Sequence, residues 1–321
     1  MTGQETTGPG DAGPDAYAAH GDGVDGTVGV VGAGTMGLGV AQCLAAGGYD
    51  VVVVDPALAS AAGLAAARTR LRTELRQARL LGARHADEPV ARVVERISWT
   101  DRTAALHRAG YVVECAPERI PLKERIFAEL DAVCPPQTVL ASVTSAIPID
   151  RLAACTRRPE RVVGTHFMNP APLKDSVEVV RAPRTDAETL RRTLDLLATI
   201  GKTGIVVADG PGFVLNRVLM LTVNEAAEVL GQGTADAETV DRVFRDCLGH
   251  PMGPLRTADL IGLDTVVDTL LVLFECTGDP RFRPGRMLRE MVDAGRYGHK
   301  SGSGFHTYPR PSAGAPVRPA G

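Results

Sequence analysis

The chain has 321 residues, 44% of them apolar and 23% charged, with a formal net charge of -3 at pH 7. That is an ordinary balance for a soluble globular protein, with length for a substantial core and two domains. It gives no basis for nucleic-acid binding, and no segment is both apolar enough and long enough to span a bilayer. The six cysteines (Cys43, Cys115, Cys134, Cys155, Cys247, Cys276) are scattered, without a C-x-x-C or a Cys/His cluster. Reduced thiols in a cytoplasm and no structural metal are therefore expected.

Residues 1–26 are rich in Gly, Asp, Thr and Ala and have neither a basic n-region nor an apolar core. A disordered leader is expected there, not a signal peptide. Residues 27–55 read TVGVVGAGTMGLGVAQCLAAGGYDVVVVD. Apolar runs at Val28–Val31 and Val51–Val54 predict two strands, and a helix between them ends at Gly47-Gly48. The first strand leads into Gly32, Gly34 and Gly37 in the spacing G-x-G-x-x-G, and the second closes on Asp55. The first glycine permits a tight turn, the second lets backbone approach a pyrophosphate, and the third lets helix pack close to strand. The turn and first helical residues, Gly32, Gly34, Thr35, Met36 and Gly37, then face the phosphates with free N–H groups and the positive end of a helix dipole. A carboxylate at Asp55 accepts from both hydroxyls of a ribose and repels a 2′-phosphate, which favours NAD over NADP. A lone G-x-G-x-x-G is weak; strand, turn, helix, second strand and terminal acid in order is specific.

Further along, residues 58–84 are rich in Ala and Arg, lack proline, and predict a helix carrying Arg68, Arg70, Arg72, Arg76 and Arg79. A shorter helix follows over 90–96. Strands are predicted at 97–99, Tyr111–Glu114, 138–141, Val162–Phe167, 177–180 and 203–207, with helices from Pro121 to 133 and over 186–200. Strand and helix alternate, so the fold class expected is α/β, a Rossmann-type doubly wound, mostly parallel sheet covered on both faces. After Asp209-Gly210-Pro211-Gly212 the apolar spacing turns helical, with helices over 213–230, 236–248, 259–274 and 286–294. The domains expected are 27–208, NAD-binding, and 209–308, all-α for substrate and dimerisation, with a disordered tail at 309–321.

Three motifs stand at strand ends or helix starts, where α/β folds place ligands: Ala141-Ser-Val-Thr-Ser145, His166-Phe-Met-Asn-Pro170 with Glu178 beyond, and Gly210-Pro-Gly-Phe-Val-Leu-Asn-Arg217. Alone, His166 reads as a buried hydrogen-bonded histidine. Equally, a dehydrogenase needs a group near working pH to take a hydroxyl proton, and histidine suits that task. Glu178 is either an edge-strand surface acid or the carboxylate that fixes the tautomer of His166. Asn169 and Asn216 read as turn and helix-surface residues or as site donors, and Ser145 as a helix N-cap or a site hydroxyl.

The motifs GAGTMG with Asp55, VVECAPERIPLK, Thr144-Ser145, HFMNPAPLK leading to SVEVV, DGPGFVLNR, HPMGP, IGLDT and GHKSGSGF, in order and spacing, resemble the 3-hydroxyacyl-CoA dehydrogenase family over residues 27–308. The resemblance implies His166 as general base, Glu178 as its orienting partner, and Ser145 and Asn216 at the reacting oxygen or the nearby carbonyl, with Ser145 also beside the cofactor. It implies Asn169 on the nicotinamide side, Glu118 and Lys123 as cofactor contacts, Lys300 reaching the cofactor from the C-terminal end, NAD as cofactor and a homodimer. Two departures stand out. Val143 replaces the family's frequent Asn, and the arm at 58–84 has arginines where the family's coenzyme A contacts include a lysine. The variants TSAIP, NPAPLKD and GPLRTADLIGLDT look most like a polyketide branch that oxidises a glyceryl unit on an acyl carrier protein, and that is the substrate expected. The alternatives are a 3-hydroxybutyryl- or 3-hydroxyacyl-CoA substrate, a free hydroxy acid, and a non-catalytic NAD-binding protein.

Overall fold

The structure, a computed structural model, describes residues 26–85 and 87–309. Apart from Gly26 and Pro309, the leader and tail expected from the sequence lie outside the described residues.

The first half runs β1 (Val28–Val31), α1 (Thr35–Ala46), β2 (Val51–Val54), α2 (Ala61–Leu80), α3 (Val90–Glu95), β3 (Ile97–Thr100), β4 (Tyr111–Glu114) and α4 (Ile120–Val133). It continues through β5 (Val139–Ser142), α5 (Ile149–Ala153), β6 (Val162–Phe167), β7 (Ser176–Arg181), α6 (Ala187–Thr199) and β8 (Thr203–Ala208). The strands form one eight-stranded sheet in the order β3-β2-β1-β4-β5-β6-β7-β8. From β3 to β6 all neighbours are parallel; β7 runs antiparallel to β6, and β8 parallel to β7. This is a Rossmann-type domain. Side chains of the central strands alternate between two packed faces. Val28, Val30, Tyr111 and Val113 meet Val40, Leu44 and Leu197, while Val31 and Val112 meet Leu106, Phe127 and Leu130. Burial on both faces is why these strands read as unbroken apolar runs.

A helical domain follows, made of α7 (Leu215–Gly231), α8 (Ala237–Leu248), α9 (Pro254–Ile261), α10 (Leu263–Thr277) and α11 (Arg286–Asp293). Its core gathers Met220, Val223, Leu263, Val266, Leu270, Leu273, Phe282 and Leu288. Among the described residues no helix is long and apolar enough to cross a membrane.

Four local expectations need correction. The single helix expected over 259–274 is two, α9 and α10, because Gly262 sits at φ +102 and breaks the ladder between them. The arm helix begins at Ala61, after a 3-10 turn at Pro56–Ala59, because Ser60 caps it by accepting from the Gly63 N–H at 3.0 Å. The helix that Ser145 was read as capping, α5, begins only at Ile149; its first amides, Ile149 and Asp150, are capped from a distance by Asp209 at 2.9 and 2.8 Å. The sheet is not covered throughout, since outer strand β8 leaves Ile205 54% and Val206 42% exposed.

Candidate active site

Parallel pairing from β2 to β6 brings their C-terminal ends to one edge of the sheet. The chain's winding reverses between β1 and β4, and a crevice at such a switch point is where open α/β sheets bind ligands. The glycine turn after β1, the loop after β4, the Thr144-Ser145 turn after β5 and the His166–Pro170 segment at the end of β6 all stand at this edge, while the Gly210–Arg217 segment follows β8, which runs the other way.

The glycine turn fits a dinucleotide. Gly32 has φ +110, and a Cβ there would lie 2.8 Å from the Cys115 carbonyl oxygen. A Cβ on Gly37 would lie 1.9 Å from the Gly32 carbonyl oxygen, so the helix can sit this close to the strand only as glycine. Gly34 has nothing within 4 Å of its Cβ position, which leaves open space over the turn. Gly34 is also the N-cap of α1 and makes no side-chain capping bond, so the first-turn amides at Thr35 and Met36 keep their donors for an anion. The Asp55 carboxylate is held in place by the N–H groups of Ala33 (Oδ2, 2.7 Å) and Ala57 (Oδ1, 2.8 Å), and each oxygen keeps a further lone pair for a hydroxyl. Sequence reasoning missed that Arg70 of α2 reaches this turn, donating to the Thr35 hydroxyl at 3.3 Å.

His166 and Glu178 face each other across the antiparallel β6–β7 pair. The Nδ1 of His166 is 2.9 Å from Oε2 of Glu178, and the two residues are only 5% and 8% exposed. Oε1 of Glu178 accepts from the N–H groups of Val214 and Leu215 at 2.9 and 3.2 Å. Burial works against its charged form, but the hydrogen bonds from His166, Val214 and Leu215 outweigh it and hold the carboxyl below its ordinary range. An ionised carboxylate only accepts, so Nδ1 carries the imidazole proton and Nε2 keeps its lone pair. Phe213 packs against the imidazole with ring centroids 5.9 Å apart. Its φ of 53, next to Gly212 at φ +72, places two successive residues in the left-handed region at the entry to α7.

Asn216 and Ser145 meet. The Asn216 side-chain Nδ2 donates to the Ser145 carbonyl oxygen at 2.9 Å, which uses one of its two hydrogens. Ser145 is not a helix N-cap, because α5 begins at Ile149 with Pro148 at the cap. Glu118 instead caps the Ser145 turn: its Oε1 accepts from the Thr144 hydroxyl at 2.5 Å and from the Ser145 and Ala146 N–H groups at 2.9 and 3.1 Å. Asn169 is exposed at the C-terminal end of β6.

Two expected cofactor contacts are placed differently. Lys123 is 1% exposed, and its Nζ donates to both oxygens of Glu114 at 2.8 and 2.9 Å and to the Ala116 carbonyl at 3.0 Å. Its three hydrogens are spent inside the protein, so it lies beneath the ligand surface. Lys300 donates to Asp264 at 2.6 Å and so ties the C-terminal loop to the start of α10. Glu114 was missed altogether. The available signal was an acid closing an otherwise apolar central strand, a residue type rarely buried without a partner.

The family model described as 3-hydroxyacyl-CoA dehydrogenase, NAD binding domain, matches residues 27–210, and the one described as 3-hydroxyacyl-CoA dehydrogenase, C-terminal domain, matches residues 212–308. The chain belongs to the 3-hydroxyacyl-CoA dehydrogenase family. It is an NAD-dependent oxidoreductase of that family, with the family's NAD-binding domain ahead of its helical one. A Bacillus subtilis protein named probable 3-hydroxybutyryl-CoA dehydrogenase is 43% identical over 280 residues, 87% of this chain and 96% of its own length. The mitochondrial hydroxyacyl-coenzyme A dehydrogenase of Sus scrofa is 35% identical over 285 residues, 87% of this chain and 90% of its own length. Among solved structures, FadB2 of M. tuberculosis superposes with a TM-score of 0.81 at 40% identity, covering 88% of this chain and 98% of that one. The (S)-3-hydroxybutyryl-CoA dehydrogenase PaaH1 of Ralstonia eutropha gives 0.79 at 39% identity, covering 88% and 99%.

Proposed function

We propose that the protein oxidises the 3-hydroxyl of an acyl-coenzyme A, with 3-hydroxybutyryl-CoA as the substrate to test first, and yields the 3-oxoacyl thioester. The carrying observation is the buried His166–Glu178 pair at the same sheet edge as the glycine turn. Bound NAD supplies the hydride acceptor for the substrate's C3. His166 takes the hydroxyl proton at Nε2, and Glu178 stabilises the resulting imidazolium through Nδ1–H. A preset tautomer spares any reorganisation at the moment of transfer. The free Asn216 N–H and the Ser145 hydroxyl stabilise the charge that builds on the substrate oxygen. Asn169 lines the nicotinamide side, Gly32, Gly34, Thr35, Met36 and Gly37 receive the pyrophosphate, and Asp55 the ribose hydroxyls. In the reverse direction His166 returns the proton.

Coenzyme A as the carrier draws support from the relatives, whose names specify CoA thioesters. The carrier-protein reading draws support from one observation alone: Arg68, Arg72, Arg76 and Arg79 are exposed along one ridge of α2, a surface that suits an acidic partner. None of the relatives named here favours it. Exposed Val214, Val218 and Leu215 on the first turns of α7 support a homodimer through the helical domain.

The test is NADH formation with 3-hydroxybutyryl-CoA, glyceryl-loaded carrier protein and free 3-hydroxybutyrate in parallel. The reading expects the CoA thioester to be the best substrate. Preference for the carrier-bound glyceryl unit moves the substrate to that alternative, and NADH binding without turnover on any of the three refutes the enzyme reading.

A further inference from the structure

We propose that Phe213 is a positioning residue for His166, holding the imidazole against Glu178 with its ring and aiming the start of α7 at Glu178 with its backbone. The inference rests on the role given to His166 above.

A single hydrogen bond does not fix a ring. The Nδ1 of His166 is tied to Oε2 of Glu178 at 2.9 Å, and Nε2 has to point at the substrate hydroxyl. A ring held at Nδ1 alone swings about that bond and carries Nε2 with it. The Phe213 ring stands against the imidazole, with centroids 5.9 Å apart and planes tilted by 60°, within the range of a favourable aromatic contact. Behind it lies packed core: Phe213 is 5% exposed and belongs to the apolar cluster that includes Ile149, Leu152 and Val180. An anchored apolar wall limits the swing, and its side chain has no donor or acceptor to compete with Glu178 for Nδ1.

The backbone of Phe213 supports the same role. Its φ of 53 is left-handed, a conformation that costs free energy for any residue with a Cβ. Space explains the glycine before it, since a Cβ on Gly212 would lie 2.6 Å from Leu273 Cδ2. At position 213 a glycine would meet the left-handed demand without strain, yet a phenylalanine stands there. Strain kept at a buried position beside a reacting group marks a side chain that the site uses. The turn is pinned at two points, by the Phe213 N–H on the Gly210 carbonyl and by the Gly212 N–H on the Ala146 carbonyl, each at 3.0 Å. The chain leaves it with the next two amides, Val214 and Leu215, donating to Oε1 of Glu178. Phe213 therefore acts on both halves of the pair, on the base through its ring and on the carboxylate through the amides that follow.

The experiment compares Phe213→Leu and Phe213→Gly with Phe282→Leu, which alters a buried ring in the core of the helical domain. Leucine keeps an apolar side chain and the backbone demand but loses the ring; glycine relieves the backbone and serves where leucine fails to fold. His166 is followed by proton NMR through its Nδ1–H signal, assigned by the loss of that signal in His166→Ala. In the wild-type protein the signal is expected to be sharp and slow to exchange with water. In both Phe213 variants its exchange is expected to quicken by about tenfold or more and kcat to fall by about tenfold to a hundredfold, with NADH affinity and the KM for thioester within about twofold of wild type. Phe282→Leu is expected to lower the melting temperature and to leave the signal and kcat as in wild type. A freely exchanging wild-type signal, an unchanged signal or kcat in the Phe213 variants, or an equal loss of kcat in Phe282→Leu overturns the proposal. If the wild-type protein turns over no thioester, the proposed function falls, and the Nδ1–H exchange still decides whether Phe213 holds the imidazole.

Discussion

Replacing Glu178 with Gln tests how the site sets the state of His166. The carboxylate has two tasks at once: Oε2 accepts from His166 Nδ1 at 2.9 Å, and Oε1 accepts from two backbone N–H groups at the start of α7. A glutamine cannot do both. If its carbonyl faces Val214 and Leu215, its NH2 faces Nδ1, which must then accept; the proton moves to Nε2 and the base is blocked. If it is turned round, its NH2 meets two N–H donors, and a buried donor without an acceptor costs about 1–3 kcal/mol. Either way the proton-transfer contribution is lost, and kcat is expected to fall by about 10²–10⁴-fold. The assay is NADH formation from 3-hydroxybutyryl-CoA under saturating conditions, with NADH affinity measured separately by fluorescence titration. Affinity is expected to stay unchanged, because the pair lies away from the glycine turn in the chain's own bonding. A variant with wild-type kcat refutes the assignment of Glu178 as the orienting partner.

Other outcomes follow from the same structure. Glu178 is held below its ordinary value of 4.5, so its stabilising effect is present above that pH and is lost as pH falls through the lowered value; the melting-temperature gap between wild type and Glu178→Gln is expected to narrow below pH 4.5, and a constant gap contradicts this. Asp55→Ala is expected to erode the preference for NAD over NADP, read as the ratio of kcat/KM for the two cofactors; a wild-type protein that prefers NADP contradicts the role of Asp55. Gly37→Ala puts a Cβ 1.9 Å from the Gly32 carbonyl oxygen and is expected to cost about 1–3 kcal/mol and to weaken NADH binding, seen by thermal melt and titration.

What was legible in the sequence had a local cause. The unbroken valines at Val28–Val31 and Val51–Val54, the glycine spacing and the terminal Asp55 specify β1–α1–β2 without reference to the rest of the chain. The alternation to β5 carries the same signal. His166 and Glu178 stood out because polar residues interrupt apolar strands. Other features depend on tertiary partners that lie far off in sequence. Lys123 is the near case, nine residues from Glu114 and five from Glu118, yet its meaning comes from burial between them, which no periodicity reports. Gly262 interrupts a pattern that is helical on both sides, and its positive φ appears only when α9 and α10 pack. The capping of α5 by Asp209 spans 60 residues, so a local reading offered Ser145 as the cap in place of the distant carboxylate. The family motifs named the site residues by likeness; the structure supplied what each one touches.

The central claim is that His166 is the proton acceptor for oxidation at a site built to hold NAD. The most direct measurement is a single-turnover reaction of His166→Ala with NAD and 3-hydroxybutyryl-CoA, set beside an NADH titration of the same variant. The account predicts that NADH binds as to wild type while hydride transfer is lost. Hydride transfer at the wild-type rate contradicts it.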